Sequence, residues 1–124
     1  MIVMKFGGTS VMDATAIDRT AKIVSGRLAR RPMVVVSAMA KVTDALLAAG
    51  KAAGEGQRDK ALELVRGLRE RHHNTARELV SAEQYAVLGA ELEREFDTLD
   101  ELLKGIVAVG ELSPRSSDYV VSYG

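Results

Sequence analysis

The sequence contains no cysteine. That absence removes disulfides, a thiol nucleophile and any cysteine-based metal site, and it fits a reducing compartment. Aromatic residues make up only 4% and there is no tryptophan, so a core has to be assembled from Leu, Val, Ile, Ala and Met. An excess of one charge is missing too: 17 basic residues face 17 acidic ones. Nothing in that balance tracks a nucleic-acid backbone or an anionic membrane, and neither partner is expected. No apolar run approaches the roughly 18 residues that span a bilayer. The apolar start is cut by Lys5 and two glycines, too short for the h-region of a signal peptide. These absences lead to the expectation of a cytoplasmic protein.

What is present is one domain's worth of chain, 124 residues of which 47% are hydrophobic and 27% charged. A chain of this size buries roughly two-thirds of its unfolded surface. Ile2 to Phe6 is short, apolar and closed by Gly7-Gly8, and it reads as a buried strand. Ile17, Ala21, Val24 and Leu28 fall at helical spacing within Ala14 to Arg30, after the capping residues Thr9, Ser10 and Asp13. Pro32 blocks further helix, and Met33 to Val36 reads as a second buried strand. Ala38 to Thr43 form a loop, and Asp44 to Ala53 another helix. Strand, glycine loop, helix, strand, polar loop and helix are the alternation of a parallel α/β sheet, and strands without polar alternation suit burial on both faces.

The middle of the chain is helical. One stripe runs through Leu62, Val65, Leu68, His72, Ala76 and Leu79 in a helix over Arg58 to Val80. A second runs through Tyr85, Leu88, Leu92, Phe96, Leu99 and Leu103 in a helix from Ser81 or Ala82 to about Lys104. Two such neighbours predict an antiparallel hairpin, a lid or flap beside the sheet, ended by Gly105. Ile106 to Val109 follows as a short apolar piece, and Ser113-Pro114 is a helix start for a last helix over Ser116 to Tyr123.

Lys5-Phe6-Gly7-Gly8-Thr9-Ser10 carries the most chemistry. Two glycines after a strand let the backbone turn tightly and present bare N–H groups to an anion. The helix that follows points its positive end at the same place, Lys5 adds a full charge, and Thr9 and Ser10 add hydroxyls. Together they make a phosphate cradle, or else a tight turn in which the glycines serve geometry alone. The order differs from a Walker loop, where the lysine follows the glycines, and from G-x-G-x-x-G. Ser37 and Thr43 flank the loop after the second strand, where open α/β sheets collect ligands. They are candidates for a polar substrate, with helix capping by Thr43 as the plain alternative. The two histidines, His72 and His73, lie mid-helix with no second ligand pair and read as solvated or stripe-edge residues. Glu91 to Glu101 reads as a wet helix face. Glu111 is either an active-site carboxylate or a loop acid before a helix.

At this point a family comes into view. Lys5 to Val11, "KFGGTSV", resembles the N-terminal signature of aspartate kinases. Val34 to Leu46, "VVVSAMAKVTDAL", resembles their second motif, and Gly110 to Gly124, "GELSPRSSDYVVSYG", their third. The order is that of the family and the resemblance covers the whole chain. It implies a three-layer αβα sandwich with a mainly parallel sheet, the amino acid kinase or carbamate kinase-like fold, incomplete here and carrying a helical hairpin at about 57–104. It also implies ATP with Mg2+ held through the ATP phosphates, and transfer of the γ-phosphoryl group to the β-carboxylate of L-aspartate on the way to lysine, threonine and methionine.

By match to the first motif, Lys5 would neutralise charge on the transferring group, Gly7 and Gly8 would donate N–H groups to it, and Thr9 and Ser10 would line the nucleotide. By match to the second, Ser37 and Thr43 would hold aspartate. In the family a glutamate follows the S-[YF]-G of the third motif; here that position lies beyond Gly124. The chain is therefore expected to be the N-terminal portion of the kinase domain, without the nucleotide-binding half and the regulatory ACT domains. The parent is expected to be a homo-oligomer, and the piece alone to be inactive and either marginal in solution or self-associating. Two other readings stand beside this one. One is a kinase of another small acid on the same fold. The other is a non-catalytic phosphate-binding or dimerising module.

Overall fold

A computed structural model describes residues 1–124 as two compact units, Met1–Val42 and Thr43–Gly124. In the first, strand β1 (Ile2–Phe6) pairs parallel with β2 (Pro32–Val36). The register sets Ile2 against Pro32 and Phe6 against Val36. Between them lie a turn of 3-10 helix at Gly8–Val11, helix α1 (Ala14–Ser25) and a second 3-10 turn at Leu28–Arg30. Asp13 caps α1 by accepting the Ala16 N–H at 2.8 Å. The helix stops five residues before the expected Arg30, because Gly26 takes up its last hydrogen bonds and the chain tightens into the 3-10 turn.

Two expectations fail in this unit. The strands were expected to be buried, yet Val3, Met33, Val34, Val35 and Val36 are exposed, Val3 at 66% and Val36 at 58%. With only two strands, the sheet has few neighbours to cover its faces. The stripe of α1 is also turned from the one expected. Ala14, Ala16 and Thr20 are buried, whereas Ile23 and Leu28 are exposed and Ile17 and Val24 lie between.

The second unit is helical: α2 (Val42–Gly54), α3 (Arg58–Leu79), α4 (Ala82–Val109) and α5 (Pro114–Val121). Its core is aliphatic and rich in alanine, with Leu46, Val65, Leu99, Leu103 and Val120 almost wholly enclosed. Gly54 lies against Leu112, whose Cβ would stand 2.9 Å from an added methyl. Helices α3 and α4 form the expected antiparallel hairpin, joined through Val80 and Ser81. Ser81 and Gln84 build a capping box at the start of α4.

Helix α4 runs through Gly105, where a stop was expected, and ends at Gly110 with φ 75°. Leu99, Leu103 and Ile106 keep the apolar period, and nothing lies within 4 Å of a Cβ at Gly105, so the only cost is about 1 kcal/mol of helix propensity. Gly110 supplies the left-handed residue that ends helices. Ser113 caps α5 and Pro114 opens it, as the sequence predicts, although the helix spans Pro114–Val121 rather than Ser116 to Tyr123.

The buried face of α3 passes through Ala61, Val65, Leu68, His73 and Ala76. His73, read as a solvated or stripe-edge residue, is instead only 7% exposed. Its Nδ1 lies 2.6 Å from the Tyr85 hydroxyl. Its Nε2 is shielded from solvent and stands 2.6 Å from Glu93 Oε1 without reaching hydrogen-bond geometry, so proximity to the carboxylate holds that side. Arg69 crosses from α3 to Glu93, to Asp97 Oδ1 at 3.0 Å and to Asp100 Oδ2 at 2.9 Å, with its guanidinium 5.5 Å from the Phe96 ring centre. Part of the expected wet acidic face of α4 is thus an interhelical clasp. Burial opposes the Arg69 charge, but hydrogen bonds and charge from Asp97, Glu93 and Asp100 outweigh it and raise its pKa.

Candidate functional site

Parallel pairing in register brings the carboxyl ends of β1 and β2 level. Gly7 leaves β1 where Ser37 leaves β2, and the Ser37 N–H donates to the Phe6 carbonyl at 3.0 Å. The glycine loop and the loop at residues 37–41 therefore emerge side by side. Gly7 is extended, φ −81° and ψ 178°, and the following turn closes when the Ser10 N–H donates to the Gly7 carbonyl at 3.0 Å. The Thr20 hydroxyl donates to the Ser10 carbonyl at 2.8 Å, which ties the loop to α1.

The two glycines have different surroundings. A Cβ on Gly8 would meet Ala40 Cα at 3.3 Å and Ala38 O at 3.4 Å, so Gly8 is required for the close approach of the two loops. A Cβ on Gly7 would meet nothing within 4 Å. Its backbone torsions are open to any residue. Nothing within the chain demands a glycine there, and its bare backbone faces open space.

Around this pair, Lys5 is exposed on the same strand face as Val3. Thr9 is exposed and Ser10 half-buried. Ser37 is exposed, and its hydroxyl donates to the Ala38 carbonyl at 2.8 Å. Thr43 is exposed in the first turn of α2, one residue inside the helix, and so is not its cap. Lys41, at φ 70°, immediately precedes α2. The first unit thus assembles Lys5, Gly7, Gly8, Thr9, Ser10 and Ser37 at one end of its sheet, while Thr43 opens the second unit.

The positive end of α1 contributes less than expected. A 3-10 turn that itself begins at Gly8 lies between Gly7 and the helix, and the Asp13 carboxylate already caps the helix start. The short residues Ala38 and Ala40, which wall Gly8, and the anchoring Thr20 were not singled out from sequence. The signal was present in the run of small residues after β2 and in a threonine on the buried side of α1. No group of three or more His, Asp or Glu residues is arranged to hold a metal ion.

The amino acid kinase family model matches residues 1–122. Aspartokinase 3, chloroplastic, of Arabidopsis thaliana is 42% identical over 125 residues, covering 98% of this chain and 21% of that protein. Aspartokinase 2, chloroplastic, of the same plant is 39% identical, with 98% and 22% covered. Among solved structures, Escherichia coli aspartokinase III in complex with aspartate and ADP superposes with a TM-score of 0.72 at 29% identity, over 100% of this chain and 26% of that one. The chain therefore spans about a fifth to a quarter of the length of these relatives. In the two-stranded parallel sheet with its helices, that likeness identifies part of the αβα fold. With its motifs, its fold and its relatives in agreement, this chain belongs to the amino acid kinase family and aligns with the aspartokinases within it.

Proposed function

We propose that this chain is the N-terminal portion of an aspartate kinase domain. The whole protein would transfer the γ-phosphoryl group of ATP to the β-carboxylate of L-aspartate. The observation that carries the reading is the glycine loop. Gly8 is forced by its contact with the Ala40 backbone, while Gly7 stands bare toward open space beside Lys5 and the end of β2. A phosphoryl group that approaches a peptide backbone needs that arrangement.

Lys5 supplies positive charge to the transferring group, and Gly7 and Gly8 supply N–H donors. Thr9 and Ser10 complete the nucleotide side, and Ser37 and Thr43 serve the aspartate. Phosphoryl transfer asks for positioning and charge stabilisation rather than a protein nucleophile. Mg2+ in this reading arrives on the nucleotide phosphates and adds charge neutralisation there. A cytoplasmic, homo-oligomeric parent in lysine, threonine and methionine synthesis completes the proposal, as does a 124-residue piece that is inactive alone.

The test is aspartate-dependent ADP release by the full-length protein that contains this segment. The expected result is activity with aspartate that falls by about 10²-fold or more in Lys5→Ala, the size of losing one preorganised charge on the transition state. Faster turnover of glutamate, N-acetylglutamate or carbamate would transfer the assignment to another acid kinase. Full activity in Lys5→Ala would refute the role of the loop.

A further inference from the structure

The hairpin of α3 and α4 carries a second feature, independent of the glycine loop. A groove of about 400 Å³ runs along the seam of the two helices near their joining turn. Its floor is small: Ala86, Gly89 and Ala90 of α4. Tyr85 forms one wall and lies back over Gly89, where an added Cβ would stand 3.1 Å from Tyr85 Cζ. A glycine inside a helix costs about 1 kcal/mol. Here that cost makes room for the Tyr85 ring, whose hydroxyl then reaches the buried His73. The groove is thus built into both helices and is not a gap between loosely packed side chains.

Four residues of full charge line it, Arg69, Glu70, Arg77 and Glu93; Glu70 lies seven positions before Arg77, about 10 Å of helix rise away. Arg69 is occupied by Glu93, Asp97 and Asp100 of α4. Glu93 is occupied in turn by Arg69 and His73. Arg77 differs. It is steadied by neutral groups, donating to Asn74 Oδ1 at 3.0 Å and lying 4.8 Å over the centre of the Tyr85 ring. Stacking and one hydrogen bond fix the guanidinium plane but leave its charge uncompensated by them. A guanidinium held this way retains N–H donors in a fork that matches a carboxylate. The amide nitrogen of Asn74 is a further donor on the same rim, because its oxygen is the atom that serves Arg77.

We infer that the α3–α4 groove binds a small organic carboxylate. Arg77 and Asn74 grip its oxygens, and a short aliphatic tail lies on Ala86, Gly89 and Ala90. The volume suits such a ligand, since sites of 300–1,000 Å³ are typical for small molecules. The floor distinguishes the ligand from inorganic phosphate, which has nothing to place there.

The test is an amide NMR titration with sodium butyrate, and with inorganic phosphate in parallel, of the full-length protein that contains this segment, isotope-labelled within residues 1–124. The expected result is saturable shifts at Gly89, Ala90 and the Arg77 Nε–H with butyrate, and weaker binding of phosphate. Arg77→Gln is expected to weaken butyrate at least about tenfold, the weight of one charge-assisted interaction. Asn74→Ala, on an exposed position that leaves the Tyr85 and His73 contact alone, is expected to weaken it in the same direction. Absence of saturable shifts up to about 20 mM butyrate would overturn the inference. So would phosphate binding as tight as butyrate, or binding unchanged in both variants.

Discussion

Placing a methyl group on each glycine of the loop separates geometry from ligand contact. Gly8→Ala puts a Cβ 3.3 Å from Ala40 Cα and 3.4 Å from Ala38 O and Ala40 N. These are backbone atoms and cannot swing aside, so one loop has to shift. Overpacking of this kind costs about 1–3 kcal/mol, against about 0.4–1 kcal/mol gained from a stiffer unfolded chain. The net is a loss centred on about 1.3 kcal/mol, within a range of about 0–2.6 kcal/mol. Gly7→Ala meets nothing within 4 Å and keeps an extended backbone, so only the gain of about 0.4–1 kcal/mol remains. At about 3–5 °C per kcal/mol for a chain of this length, thermal melts of the two variants should diverge in sign. Activity of the full-length protein should not follow stability. Gly7→Ala is expected to lose about 10²–10³-fold, because in the proposed role its methyl would stand where the phosphoryl group nears the backbone. A stabilised and fully active Gly7→Ala would refute the reasoning, since Gly7 would then be facing empty solvent.

The clasp on the hairpin gives a second expectation: Arg69→Met leaves Glu93, Asp97 and Asp100 facing one another, and should cost about 1–2 kcal/mol at low salt. Denaturant melts should show that cost shrinking as sodium chloride rises toward about 0.5 M, and a salt-independent cost would mean that packing on Phe96 dominates. For His72, burial lowers the pKa below the ordinary 6.5, against a hydrogen bond donated to the Leu68 carbonyl and together with the charges of Arg71 and His73. A depressed histidine pKa means that its share of stability is whole above about pH 6.5 and is lost as pH falls through the folded value. Melting temperature should therefore drop between about pH 7 and pH 5, and less steeply in His72→Gln; equal slopes would rule His72 out as the source. Gly67→Ala and Gly105→Ala, both open at Cβ inside helices, should each stabilise by about 1 kcal/mol in urea melts, and a loss at either would mean that its helix face is covered in solution.

Local signals that carry their own punctuation were legible from sequence alone. Asp13 as one of three candidate caps, a helix start at Ser81 or Ala82, the Ser113 cap, Pro114 at a helix start and the alternation of strand and helix could all be read before any coordinates. The end of α4 was not, because Gly105 and Gly110 look alike in sequence and differ only in context. Gly105 sits where the apolar period continues, and Gly110 where the backbone turns left-handed. His73 was misplaced for a related reason. Neighbouring histidines on a helix lie about 100° apart, and which one turns inward depends on the partner helix. Tyr85 and Glu93 are 12 and 20 positions away, so no local pattern announces them. In the candidate site the glycines, Lys5 and Ser37 were legible as residues. Their juxtaposition rests on the pairing of Phe6 with Val36, a contact between strands 30 residues apart.

The strands carry the opposite lesson. Pro32 to Val36 reads PMVVV, with no polar alternation, a composition suited to cover on both faces. In this chain Met33 through Val36 are exposed, and the sheet has two strands. Exposed β-branched strands with an open edge are prone to pair with another chain. The sheet is thus suited to partners that these 124 residues do not supply. The relatives it matches are about four to five times longer, with chain enough to supply them. The isolated chain should then self-associate with rising concentration in sedimentation. Val34→Lys with Val36→Lys should suppress that association by charging both the edge and the face. A monomer at all concentrations, with a sharp cooperative melt, would show instead that two strands are enough.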